Sequence, residues 1–261
     1  MTEKGTDTMP KGKMILYCGD TALREAGSYL TGVMAHGSIP FDYLASNQEF
    51  TDEFLFRAYR GIVLSDYPAI NFAPSQLAKL AEKVHQGMGL LMIGGWASFT
   101  GANREYTETV LRELLPVIMQ EQDDRVNSWQ PCLIEKKKDH AIVDALPFDR
   151  FSPSVGGFNR FQAKPGAETI LTVRQIGVTR EEGQLVFSPS FDIDPLLVVG
   201  SFGSGRVCAF ASDVAPHWVG GLVDWGDSRL PVRAEGANQR EVGNWYAAFF
   251  ECLIRWVMKE K

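Results

Sequence analysis

The sequence is poor in the residues that most often announce a site. Its four cysteines, Cys18, Cys132, Cys208 and Cys252, stand far apart with no CxxC pair. That spacing excludes a zinc-ribbon motif and a disulfide framework and leaves reduced, buried thiols as the expectation. The four histidines, His36, His85, His140 and His217, show no HxH or HxxxH spacing, so neither a metal site nor a cofactor is read from them. No apolar run reaches the roughly 18 residues of a membrane span. The opening "MTEKGTDTMPKGK" has no apolar signal core either; the expectation is a cytoplasmic protein without a membrane partner. Positive charge is also short, with 26 Lys and Arg against 32 Asp and Glu and a net charge of -6. This argues against a nucleic-acid partner, which would require clustered basic residues. The single basic run, Lys136 to Lys138, is followed at once by Asp139 and reads as a solvated loop. Internal repeats and low-complexity linkers are absent. One domain over residues 13–261 is therefore expected, behind a disordered tail at 1–12.

What is present is a regular alternation of short apolar runs and helical patterns. "KMILYCGD" at 13–20, the weaker "FDYLA", "GIVLSDYP" at 61–68 and "GLLMIGG" from residue 89 read as buried strands. Between them "ALREAGSYLTGVMAHG", "FTDEFLFRAY" and "PSQLAKLAEKVHQG" read as helices, the last opened by Pro74 and stopped by Gly87. "REYTETVLRELLP" is expected to continue as a helix with Tyr106, Val110, Leu111 and Leu114 on one face. Continuous apolar strands alternating with helices predict a mostly parallel sheet covered on both sides, an α/β three-layer sandwich of the flavodoxin or Rossmann kind. In the second half "AETILTVRQ", "QLVFS" and "PLLVVGSFGSGRVCAFASD" predict additional antiparallel strands, two of them joined at Gly203-Ser204-Gly205. The closing "REVGNWYAAFFECLIRWVMKEK" predicts a helix whose stripe of Val242, Trp245, Phe249, Leu253 and Trp256 packs on the sheet.

In such a sheet, ligands bind beyond the carboxyl ends of the strands. Those ends carry Asp20, Asp66, the segment Gly94-Gly95-Trp96-Ala97-Ser98, and Asp213 followed by His217 and Trp218. Each has a plainer role available. Asp20 and Asp66 suit the caps of following helices, the two glycines suit close packing, Trp96 suits the core, and His217 suits a loop-anchoring hydrogen bond. Taken together they form a candidate site, with Asp66, Asp213 and His217 as acid-base groups. Asp20, Gly94, Gly95, Trp96, Ser98, Trp218 and Trp225 are its candidate ligand contacts. Ser98 lacks the G-x-S-x-G context of a nucleophile elbow and is expected to act as a cap or a hydrogen-bonding group.

The ordered series "GMGLLMIGGWASFTG", "YTETVLRELLPV", "DHAIVDALPF", "GGFNRFQAKPGAETIL", "DPLLVVGSFGSGRVCAFASDVAPHW" and "LVDW" resembles the class I glutamine amidotransferase-like family, which is related to the trehalose-utilisation-like proteins. The resemblance spans roughly residues 13–258 and implies a decorated flavodoxin-like sheet. It does not extend to the family's glutaminase machinery, a G-x-C-x-G elbow with a later His-x-Glu. Gly94 to Ser98 stand where the elbow would be, no cysteine lies between Cys18 and Cys132, and Ser212-Asp213 ends the later strand without His-x-Glu. A thiolate nucleophile needs both the cysteine and a base, so no glutaminase activity is expected. Cys18 is expected to pack as a small apolar group. Two readings remain open: a site for a small polar ligand, sugar-like by analogy with the trehalose-utilisation relatives, or a non-catalytic assembly module. In the second, the Trp-rich loop at 216–227 would form a homo-oligomer interface.

Overall fold

The computed structural model describes residues 15–260; the expected tail at 1–12 and the first two residues of the first strand lie outside them. In chain order the elements begin β1 (Ile15–Gly19), α1 (Gly27–His36), β2 (Phe41–Leu44), α2 (Asp52–Phe56), β3 (Gly61–Ser65), α3 (Pro74–His85), β4 (Gly89–Ile93) and α4 (Leu111–Leu114). The second half adds β5 (Val117–Met119), β6 (Arg125–Lys136), β7 (Ser154–Asn159), β8 (Phe161–Ala163), β9 (Glu168–Glu181), β10 (Gln184–Pro189), β11 (Asp194–Phe202) and β12 (Gly205–Phe210). A hairpin of β13 (Arg229–Val232) and β14 (Arg240–Gly243) leads into α5 (Asn244–Val257).

Ten strands form one mixed sheet in the order β2-β1-β3-β4-β12-β11-β9-β6-β7, with β10 on the outer part of β9. The contacts among β2, β1, β3, β4 and β12 are parallel, and those from β12 outward are antiparallel. The central strands β1, β3 and β4 are buried at every residue, as expected for strands covered on both faces. The β11–β12 connection is a two-residue hairpin, Gly203-Ser204, with Phe202 opposite Gly205. Gly203 has φ +57, and a Cβ there would lie 2.5 Å from His85 atoms, so both backbone and space require glycine.

Three local expectations shift. α1 begins at Gly27 rather than near residue 22, because Asp20 and Thr21 take left-handed φ of 52° and 57° and turns follow them. The helix expected over 104–115 shrinks to the single turn of α4. Arg104 is left-handed at φ 58°, and the Thr107 and Thr109 hydroxyls donate to the carbonyls of Arg104 and Tyr106, competing with a helical ladder. Tyr106, Leu111 and Leu114 are still buried, whereas Val110 is exposed. On α5 the buried face is Tyr246, Phe249, Phe250, Leu253 and Val257. Trp245 and Trp256 sit at its margin, and Val242 belongs to β14. The rotation follows β12, whose Phe210 packs on Phe249 and Phe250 at 5.5 and 5.6 Å. In the basic run, Lys136 ends β6 and pairs with Asp139 and Asp149, while Lys138 pairs with Glu168.

Candidate functional site

β1, β3, β4 and β12 are consecutive in the sheet, so the residues that follow their carboxyl ends are neighbours at one edge. Asp20 follows β1, Asp66 follows β3, Gly94 follows β4, and Ser212-Asp213 closely follow β12. Asp20 is buried, accepting hydrogen bonds from the Tyr17 hydroxyl and, at 3.1 Å, from the Ser65 hydroxyl. Asp66 accepts the Ala97 N–H at 2.7 Å, and its own N–H donates to the Ser98 hydroxyl oxygen at 3.1 Å. The Asp213 carboxylate accepts the N–H groups of Val214 and Ala215 at 2.5 and 3.3 Å. Asp66 also has a left-handed backbone, φ 48°, a conformation an aspartate tolerates at some cost.

Three carboxylates at one edge disturb one another's ionisation. Burial pushes Asp20 well above the usual carboxylate range, the charges of Asp213 and Asp66 push it further, and the Tyr17 and Ser65 hydroxyls oppose both. Asp66 is raised to about 6, chiefly by burial, against the lowering effect of the Ala97 and Trp96 N–H groups. Asp213 is raised to about 7, by burial first and then by Asp66. Desolvation and like charge act here in the same direction, and they bring two carboxyl groups into the range where protons are given and taken near neutrality. Among the described residues no group of three or more His, Cys, Asp or Glu is placed to hold a metal ion.

The segment after β4 is held from two sides. A Cβ on Gly95, at φ 150°, would lie 2.1 Å from the Asp66 carboxylate. The carboxylate therefore fills the space a side chain at 95 would need. On the other side the fully buried Asn159 accepts the Gly95 N–H at 2.9 Å and donates to the Gly95 carbonyl at 3.2 Å. Its amide also donates to Asp124 at 2.8 Å, and Asp124 accepts the N–H groups of Thr100 and Gly101. Asn159, Asp124, Tyr17 and Ser65 escape the sequence reading. Tyr17 and Ser65 look like ordinary strand residues, and Asn159 reaches Gly95 across 64 positions of chain, which no local pattern signals. Ser98 is buried and its hydroxyl accepts the Asp66 N–H. Trp96 is half exposed rather than core, with the Arg125 guanidinium 4.3 Å from its ring centre in a cation–π contact.

The other candidates lie differently. His217 is exposed, and no hydrogen bond among the described residues joins its ring to Asp213. Trp218 is buried with its indole N–H donated to Asn127 at 2.7 Å. Trp225 is buried with its N–H donated to the Phe151 carbonyl at 2.6 Å, and its ring packs on Phe148 and Trp245. The expected stacking surfaces of Trp218 and Trp225 are therefore closed: an indole with a satisfied N–H and an enclosed ring gains more from the core than from a cleft. Cys18, Cys132 and Cys208 are buried and Cys252 is half-buried. Burial raises all four thiols, the opposite of an activated thiolate.

Known structures share this architecture. A cytoplasmic protein from Salmonella typhimurium LT2 is 27% identical with a TM-score of 0.70, the match covering 94% of this chain and 99% of that one. A second cytoplasmic protein from Salmonella typhimurium is 24% identical with a TM-score of 0.69, covering 94% and 98%. A ThuA-like protein from Bacteroides uniformis matches more loosely, at 14% identity and a TM-score of 0.49 over 98% and 95%. No curated protein sequence matches the chain significantly. The family model described as "Putative glutamine amidotransferase" matches residues 19–230, and the chain, with its mixed α/β sheet and parallel centre, belongs to that glutamine amidotransferase-like family.

Proposed function

We propose that this protein binds and acts on a small polar ligand at the carboxyl ends of β1, β3, β4 and β12, without hydrolysing glutamine. The observation that carries the reading is the cluster of Asp20, Asp66 and Asp213, in which Asp66 is raised to about 6 and Asp213 to about 7. Burying like charges together costs stability, and such arrangements concentrate at working sites. In this reading Asp66 and Asp213 exchange a proton with the ligand. Asp20, held by Tyr17 and Ser65, is raised by burial and by their charges and stays protonated beside them, and Trp96 offers a half-exposed aromatic wall. Carboxyl groups beside an indole suit a polyhydroxylated, sugar-like ligand.

The glutaminase reaction is set aside on the same residues. The segment Gly94 to Ser98, set against G-x-C-x-G, has Trp96 where the nucleophile would stand, and burial raises every cysteine thiol. The order β2-β1-β3-β4 agrees with a flavodoxin-like core. A single domain working in the cytoplasm, without cofactor, nucleic acid or membrane, completes the proposal.

The test is a thermal-shift screen of sugars, sugar acids, amino acids and nucleotides at pH 6 and pH 8, since a ligand of the folded state raises the apparent stability. A hit whose shift disappears in Asp66→Asn and Asp213→Asn supports the site. A hit unaffected by both substitutions places binding elsewhere and overturns it. Ammonia release from glutamine above background, abolished by Cys18→Ala, would overturn the non-glutaminase reading.

A further inference from the structure

The outer part of β9, its hairpin partner β10 and the neighbouring stretch of β6 form a sheet extension with unlike faces. Antiparallel register places Leu185 opposite Arg180 and Phe187 opposite Val178, with Ile176 two residues along the same face. β6 pairs with β9 as far as Cys132 opposite Gln175, and Trp129 lies in the irregular stretch of β6 between Asn127 and Cys132. From that stretch the Gln130 side chain donates to the Val178 carbonyl at 3.2 Å, which holds it beside β9. One face of the pair thus carries Ile176, Val178, Leu185 and Phe187, with Arg180 towards the tip. The other carries Gly177, Thr179, Glu181, Ser188 and the half-buried Val186. This is the alternation of a sheet that packs one side against something, yet Trp129 is 89% exposed, Phe187 63% and Leu185 57%.

From this geometry we infer that the apolar face of the β6–β9–β10 extension is the contact by which two copies of this chain pair about a two-fold axis. The available area fits that occupant. Trp129, Leu185, Phe187 and the fully exposed Phe191 just beyond β10 together offer roughly 600 Å², at about 200 Å² per large side chain. A standard interface takes about 800 Å² from each partner, so this face with its flanking residues supplies most of one. Its charge fits as well. Arg180 shares this face with Leu185, and Glu182 lies in the turn at the arm's tip; a patch carrying both signs is complementary to itself in an isologous contact. β10 is an outer strand with no lysine and with its one proline at the end, so it lacks the usual devices that keep such strands apart.

Sedimentation equilibrium of the full chain from about 1 to about 100 µM tests this. The wild type is expected to reach the dimer mass in that range. Phe187→Glu, which alters an exposed side chain, is expected to weaken pairing about 30-fold or more, as loss of a central aromatic anchor does. The melting temperature of dilute protein should stay unchanged. Phe187→Ser serves as the milder second variant and should shift the equilibrium the same way. In parallel, β10 amides should gain hydrogen-exchange protection with concentration in the wild type only. A wild type that stays monomeric throughout overturns the inference, as does a dimer that survives Phe187→Glu. A monomer that pellets with phosphatidylcholine–phosphatidylglycerol vesicles and is released by Phe187→Glu would assign the face to lipid and equally overturn it.

Discussion

The strand carboxyl ends and the β9–β10 arm both break the usual separation of polar from apolar, in opposite directions. At the strand ends, Asp20 is buried and Asp66 and Asp213 are half-buried, close enough for their charges to act on Asp20. On the arm, Phe187 and Trp129 stand in water. The first exception is offset inside the molecule, by the Tyr17 and Ser65 hydroxyls and the backbone N–H groups of Ala97, Val214 and Ala215. The second has no internal offset among the described residues. One region should therefore respond to pH and to single-atom crowding, the other to protein concentration.

The contrast is sharpest where space is tightest. Gly95→Ala puts a methyl group on the Asp66 carboxylate and an L side chain at φ 150°. It should cost about 3 kcal/mol or more in urea denaturation; a loss under about 1 kcal/mol would show that the carboxylate does not occupy that space. Next is Asn159→Ala, which strips partners from both the Gly95 backbone and Asp124. Leaving such groups unpaired is expected to cost about 2 to 3 kcal/mol.

Asp213→Asn reverses the sign. An aspartate has an unfolded pKa near 3.9, and in the folded protein Asp213 is raised to about 7 and Asp66 to about 6. Between these values the folded state binds more protons than the unfolded one. Stability contributed by the protonated carboxyls is therefore complete below about pH 4 and lost as pH rises through 6 to 7. Asparagine cannot ionise and should keep it. The variant should be more stable than wild type at pH 8, by on the order of 4 kcal/mol, and nearly equal to it at about pH 4. Equal melts at both pH values would sink the claim that the cluster is strained. The smallest effects are expected at the surface. His217→Ala, and Phe187→Glu in dilute protein, should each change stability by less than about 0.5 kcal/mol. A larger loss at His217 would reveal a structural partner for its ring.

The site was partly legible in the chain because strand ends are local features. "YCGD", "LSDY" and "ASD" each show an apolar run closing on a carboxylate, and a parallel sheet gathers such ends whatever the details. Trp218 and Trp225 lie in the core rather than along a cleft because their surroundings come from segments far away. Trp218 is fixed by Asn127 and Trp225 by Phe151, 91 and 74 residues distant in sequence. The shortened α4 came from hydroxyl competition that helical periodicity does not register.

The strands of the parallel half, their alternation with helices and the hairpin at Gly203-Ser204 can be read from the chain alone. All of these rest on hydrophobic period, turn chemistry or residue identity within a few positions. Only the tertiary structure decided that Asp66 fills the side-chain space of Gly95, that Asn159 holds the other side of that residue, and that three aspartates share one field. It also decided that the tryptophans expected in a cleft lie in the core while Trp129 and Phe187 face water. Desolvation, charge coupling and steric exclusion depend on which distant atoms are brought together, and a one-dimensional pattern carries no record of that.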